Sequence, residues 1–262
     1  MSAILIDREI VHYEALGRGR PLIFIHGWVG SWRYWIPVMQ AVSVQYRAYG
    51  VDLWGFGDTA KFTSGYALEE QVTLVERFMY EMGLMRVALV GHGLGAVVSL
   101  LYALRNPESV DRLFVVGYPF ESKLIHSRLR NSPPQSLADW LLDRSSLSES
   151  VRSDVPKTDA QAIAASLSSI EHLALLEQMQ SLTIPSVWVH GQNDPAIPAP
   201  GQDVLATLPE TAHAVLFEES GHFPMLEESS KFNRMLMDFL DLPSGASPRQ
   251  LQVKEEWKRR VR

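Results

Sequence analysis

At 262 residues, 46% hydrophobic and 21% charged, the chain can bury the core of one large α/β domain, or of one domain carrying an insertion. A net charge of −6 argues against a polyanion binder, and the absence of cysteine excludes disulfides, thiolate zinc sites and a cysteine nucleophile. Asp7 and Glu9 come too early for a signal-peptide apolar region, and no apolar run is long enough to span a membrane. A cytoplasmic location is therefore expected, with no membrane span and no nucleic acid among the partners.

Short β-prone runs at 4–6 and 10–13 read as an antiparallel pair at a sheet edge. Residues 22–25, Leu-Ile-Phe-Ile, form a continuous apolar run, as in a buried central strand. That run ends at His26-Gly27-Trp28-Val29-Gly30-Ser31. Ser31 is placed to cap a helix starting near Trp32, with Trp35, Val38, Met39 and Val42 on its apolar face. A strand over 46–51 leads into the Gly-rich turn Asp52-Leu53-Trp54-Gly55-Phe56-Gly57-Asp58-Thr59, and a helix is predicted over 68–82. Residues 86–90 read as a strand, 94–106 as a helix, and 113–116 as another short strand. This alternation argues for a parallel sheet covered on both faces.

From 118 to 183 the strand signal stops, and helical spacing marks 137–142, 159–167 and 170–179. The stretch reads as a helical cap, or else as a packed subdomain with no gating role. Strands resume at 186–190 and 214–217, with helices near 201–208 and 225–240. Beyond Pro243 a linker-like segment leads to Trp257 among Lys254, Lys258, Arg259, Arg260 and Arg262. This basic tail is either a solvated, frayed helix or a contact for an acidic partner or membrane surface.

Gly91-His92-Gly93-Leu94-Gly95 lies between a strand and a helix. A nucleophile elbow, Gly-x-Ser-x-Gly, has this layout. Here the central position holds Gly93, which offers no oxygen, sulfur or carboxylate for covalent catalysis. Ser31 and Ser99 do not occupy the elbow. With His26-Gly27, Asp52-x-x-Gly-x-Gly, Asp194 and His222 following strands in this order, the chain resembles the α/β-hydrolase superfamily over roughly residues 3–241. Its first turn looks most like the small esterase, carbon–carbon hydrolase and haloperoxidase-like branch. It lacks the His-Gly-x-Pro proline and the elbow aspartate of epoxide hydrolases.

The resemblance implies a doubly wound, mostly parallel eight-stranded sheet with a helical cap after strand 6. The core would be residues 1–117 and 184–242, the cap 118–183 and the basic tail 243–262. It implies His222 as general base and Asp194 as its orienting acid, with Gly93 at the nucleophile position. It also implies an oxyanion hole from the backbone N–H groups of Trp28 and Leu94, and a pocket drawing on His26, Gly27, Trp32, Phe120 and Phe223. His26 is read chiefly as a ligand of its own turn.

No metal and no cofactor are expected, since the Gly-rich turns form neither a phosphate loop nor a dinucleotide fingerprint. The expected ligand is a small apolar carbonyl compound such as an ester, lactone or diketone. Three readings stay open: a hydrolase with its acyl-enzyme route disabled, a His–Asp general-base enzyme of lyase or cofactor-free oxygenase type, and a non-catalytic binder. The oligomeric state, and whether Gly93 is natural or engineered, are left open.

Overall fold

The apolar runs become the buried centre of one eight-stranded sheet, in a computed structural model that describes residues 2–143, 145, 146 and 148–251. The strands are β1 (Ser2–Ile6), β2 (Glu9–Gly17), β3 (Arg20–Ile25), β4 (Tyr46–Val51), β5 (Val87–His92), β6 (Val110–Val116), β7 (Ser186–Gly191) and β8 (Ala212–Phe217). Their order is β1-β2-β4-β3-β5-β6-β7-β8. The expected edge pair is β1 antiparallel to β2, joined by a two-residue turn in which Asp7 and Arg8 both have positive φ. β2 also runs antiparallel to β4, and every pairing from β4 to β8 is parallel. All six residues of β5 are buried, as a strand covered on both faces requires.

Ahead of β6 the helices are α1 (Ile36–Val42), α2 (Leu68–Glu81) and α3 (Leu94–Arg105). Among the described residues between β6 and β7 lie α4 (Arg128–Asn131), α5 (Pro134–Leu141), α6 (Glu149–Arg152), α7 (Ala160–Ile170) and α8 (Leu175–Gln180). α9 (Gln202–Leu205), α10 (Pro224–Glu227) and α11 (Ser229–Leu240) complete the described chain. α1 packs on α11, α2 packs on α3, and helices cover both faces of the sheet. The basic cluster from Lys254 to Arg262 lies outside the described residues.

Two local expectations are corrected. Ser31 does accept a bond from Arg33 N, at 3.2 Å, but it opens a 3-10 turn over Trp32–Trp35 rather than an α-helix. Pro37 has no N–H to give to the Arg33 carbonyl, so Ile36 N closes that turn and α1 begins anew. The helix expected over 225–240 is split at Glu228, which has φ −121° and ψ 49°. Its carboxylate turns back to Ser220 Oγ (2.6 Å) and Lys231 Nζ (2.9 Å).

Asp52, fully buried after β4, ties three segments together. It accepts from Trp32 N (2.8 Å), Asp58 N (3.1 Å) and His12 Nδ1 (2.9 Å). Burial works against the charged form of His12, but the bond to Asp52 and its charge outweigh this and raise the pKa above 6.5. Asp52→Ala should therefore lower the unfolding free energy by about 3–5 kcal/mol, measured by urea denaturation. Because the folded pKa of His12 is raised, its stabilisation is complete below pH 6.5 and is lost as pH rises through the shifted value. The stability gap between the parent and His12→Gln should accordingly narrow from pH 6 to pH 9. A gap that stays constant over that range contradicts the assignment.

Candidate active site

The turns that follow β3, β5, β7 and β8 converge at one end of the sheet. There the start of α3 approaches the strands closely. A Cβ on Gly91 would lie 2.3 Å from the Gly95 carbonyl oxygen, and one on Gly95 would lie 2.3 Å from the Ile25 carbonyl oxygen. Gly95 N donates to His26 O at 3.0 Å, which fastens the elbow to the turn after β3. Gly93 sits between them at φ +52° and ψ −109°, a region that disfavours every residue with a Cβ. A Cβ there would stand 3.1 and 3.2 Å from two indole carbons of Trp28 and 3.6 Å from Gly27 Cα. A side chain at position 93 is thus strained in its backbone and tight against Trp28.

His222 and Asp194 meet across the β7 and β8 loops, with His222 Nδ1 2.8 Å from Asp194 Oδ2. Asp194 Oδ1 accepts from Ala196 N (2.8 Å) and Ile197 N (3.1 Å). Burial alone would push the Asp194 carboxyl up, but the His222 charge and these donors outweigh it and hold the pKa below the ordinary value. An ionised Asp194 fixes the His222 proton on Nδ1, which leaves Nε2 as the acceptor. That Nε2 is buried and has no hydrogen-bond partner among the described residues.

The rest of the shell is aromatic. His92 lies with its ring centroid 4.7 Å from that of His222, and Phe223 packs edge-on against both rings. Tyr34 supplies the link to the first turn. Its oxygen accepts from Gly27 N at 2.7 Å and its hydroxyl lies 3.0 Å from His92 Nδ1. Burial, then repulsion by His222, holds the pKa of His92 well below 6.5, so it stays a neutral spacer. The backbone N–H groups of Trp28 and Leu94 have no hydrogen-bond partner among the described residues. Trp28 Nε1 donates to Ser166 Oγ of α7 at 3.1 Å.

Gly27, Trp28, Gly93, Asp194, His222 and Phe223 are therefore brought together through direct contacts or shared neighbours. Three expected pocket residues are not. His26 spends both ring nitrogens on backbone, at Gly27 O (2.8 Å) and Leu53 N (3.1 Å), and so acts as the ligand of its own turn. Trp32 is carried by the 3-10 turn to His12 and Gly50, away from the dyad. Phe120 packs with Tyr118, Trp188 and His190 instead of against His222. It lines a surface cavity with Leu124, Ile197 and Val204, beside the backbone that holds Asp194.

Tyr34, Ser166 and Glu227, whose carboxylate reaches the His222 loop, were not singled out in the sequence. Only Glu227 had a local signal, as an acid in the first helical turn after Pro224. His12, Asp52 and Asp58 bring ligand atoms within 4.8 Å of one another. However, Asp52 is saturated by its donors and Asp58 is already paired with Lys157 Nζ at 2.9 Å, so the cluster is structural.

Residues 20–147 match the family profile described as alpha/beta hydrolase fold. Over 253 residues the chain is 25% identical to a pimeloyl-[acyl-carrier protein] methyl ester esterase from Vibrio cholerae, covering 87% of this chain and 97% of that protein. A soluble epoxide hydrolase from Corynebacterium sp. is 34% identical over 112 residues, which is 43% of this chain and 39% of the relative. Among solved structures, a meta-cleavage product hydrolase from Pseudomonas fluorescens superposes with TM-score 0.79 at 23% identity, covering 92% of this chain and 97% of the other. An esterase from Exiguobacterium antarcticum also gives 0.79, at 20% identity, with coverage of 91% and 98%. The sheet order, the converging turns and these likenesses agree: the chain has the α/β-hydrolase fold.

Proposed function

We propose that this protein acts on a small apolar carbonyl compound of ester, lactone or diketone type, with His222 and Asp194 as a general-base pair and no acyl-enzyme. One observation carries the reading. The elbow residue has no nucleophilic atom, while the Nε2 of an Asp-oriented histidine is buried without a partner among the described residues. In the proposed reaction the ligand carbonyl oxygen takes the Trp28 and Leu94 N–H groups. His222 Nε2 removes a proton from a bound water as the water oxygen attacks the carbonyl carbon. The same proton then goes to the departing group as its bond to the acyl carbon breaks, to the alkoxide oxygen of an ester or lactone or the enolate carbon of a diketone, so the neutral base is regenerated. The helices between β6 and β7 serve as the cap, with Trp28 and Ser166 as their point of contact above the elbow. The pimeloyl methyl ester of the Vibrio relative's name is compatible with an acyl–oxygen bond as the target class.

The binder reading has its own support, because the Trp28 ring covers Gly93 and is fully buried. The decisive measurement is turnover of p-nitrophenyl esters of several chain lengths. We expect slow hydrolysis that His222→Ala abolishes and that leaves no covalently trapped acyl group. If no ester is turned over, and a small carbonyl compound nonetheless raises the melting temperature, the binder reading replaces ours.

Gly93→Ser tests the covalent route. It should cost about 1–3 kcal/mol in stability through backbone strain and contact with Trp28. It should also gain labelling by a serine-directed fluorophosphonate that the added His222→Ala removes.

A further inference from the structure

The Asp194 and His222 loops touch so closely that a Cβ on Gly191 would lie 1.9 Å from Gly221 O. Asn193 N donates to Ser220 O at 2.9 Å across the same contact. Behind them, one carboxylate reaches both sides of the histidine. Glu227, the last residue of α10, accepts from Gly221 N with Oε2 and from Phe223 N with Oε1, the latter at 3.3 Å. In return Glu227 N donates to Phe223 O at 3.0 Å, which closes a ring around the loop. Glu228 holds the preceding residue through Ser220 Oγ.

We propose that Glu227 is a positioning residue for His222, gripping the two backbone N–H groups that flank the base. The inference rests on the general-base reading of His222. One feature supports a functional rather than a purely structural role: among the described residues the Glu227 carboxylate hydrogen-bonds only to the N–H groups of residues 221 and 223, on either side of the histidine.

The test is proton NMR of the full chain with amide exchange. The parent should show a far-downfield His222 Hδ1 resonance that Asp194→Asn removes. Glu227→Ala should speed exchange of the Gly221 and Phe223 amides and of Hδ1 at least ~10-fold, since two hydrogen bonds are lost. Amides of α11 should keep their protection. Glu227→Gln, which keeps one acceptor oxygen, should give an intermediate effect, and it carries the test if the alanine variant does not fold. Unchanged exchange at 221 and 223, or uniform loss of protection through α11, overturns the proposal. An Hδ1 signal insensitive to Asp194→Asn overturns the dyad reading instead; exchange at 221 and 223 is read separately from that signal.

Discussion

The close approach of α3 to β3 and β5 is the constraint on which the rest of the molecule depends. Gly91 and Gly95 have no room for a Cβ, so the helix axis is fixed against the strand ends at van der Waals distance. That contact sets the direction of the Leu94 N–H at the start of α3. Through the bond from Gly95 N to His26 O it also sets the turn that carries Trp28. Once these backbone pieces are placed, the site needs only the two loops beyond β7 and β8. None of this depends on the side chain at position 93, which explains how the elbow keeps its shape with glycine at its centre.

The connection between β6 and β7 is fastened to the core by buried apolar side chains, Leu137, Val151, Ile163 and Leu167 among them, and by a set of polar links. Asp154 accepts from Ser31 and from Arg33 Nε (2.9 Å), and Lys157 Nζ lies 3.1 Å from Asp154 and 2.9 Å from Asp58. Burial pushes the Asp154 carboxyl up, but the Ser31, Lys157 and Arg33 partners outweigh it and hold the pKa below normal. Asp159 adds a bond from the Tyr66 hydroxyl at 2.7 Å. These links join the part of the connection from 154 to 159 to the residues around the first two turns, and the bond from Trp28 Nε1 to Ser166 Oγ adds a contact beside the elbow.

The fold was legible in the sequence because parallel strands are long apolar runs. Residues 22–25, 86–90 and 186–190 announced themselves in this way and were found to within two residues at each end, whereas β2 runs four residues past its expected end and β6 begins three residues early. The residues whose side chains pair as His222 and Asp194 stood out because each follows a strand in order. What could not be read were contacts between side chains far apart in the chain. Tyr34 reaches His92 across 58 residues and Trp28 reaches Ser166 across 138, and no local pattern encodes either. Trp32 looked like a pocket residue by its neighbourhood, but Pro37 turned the first helical segment into a 3-10 turn and sent the indole to His12. The break at Glu228 was hidden for a similar reason, since its cause is a carboxylate bonded to Ser220 rather than a helix-breaking residue.

The burial of the dyad carries a kinetic consequence for the proposed function. His222 is 1% exposed and Asp194 9% exposed, so a ligand acting at Nε2 would need the surrounding shell to open. At high ligand concentration the observed binding rate would then level off at the opening rate instead of rising in proportion.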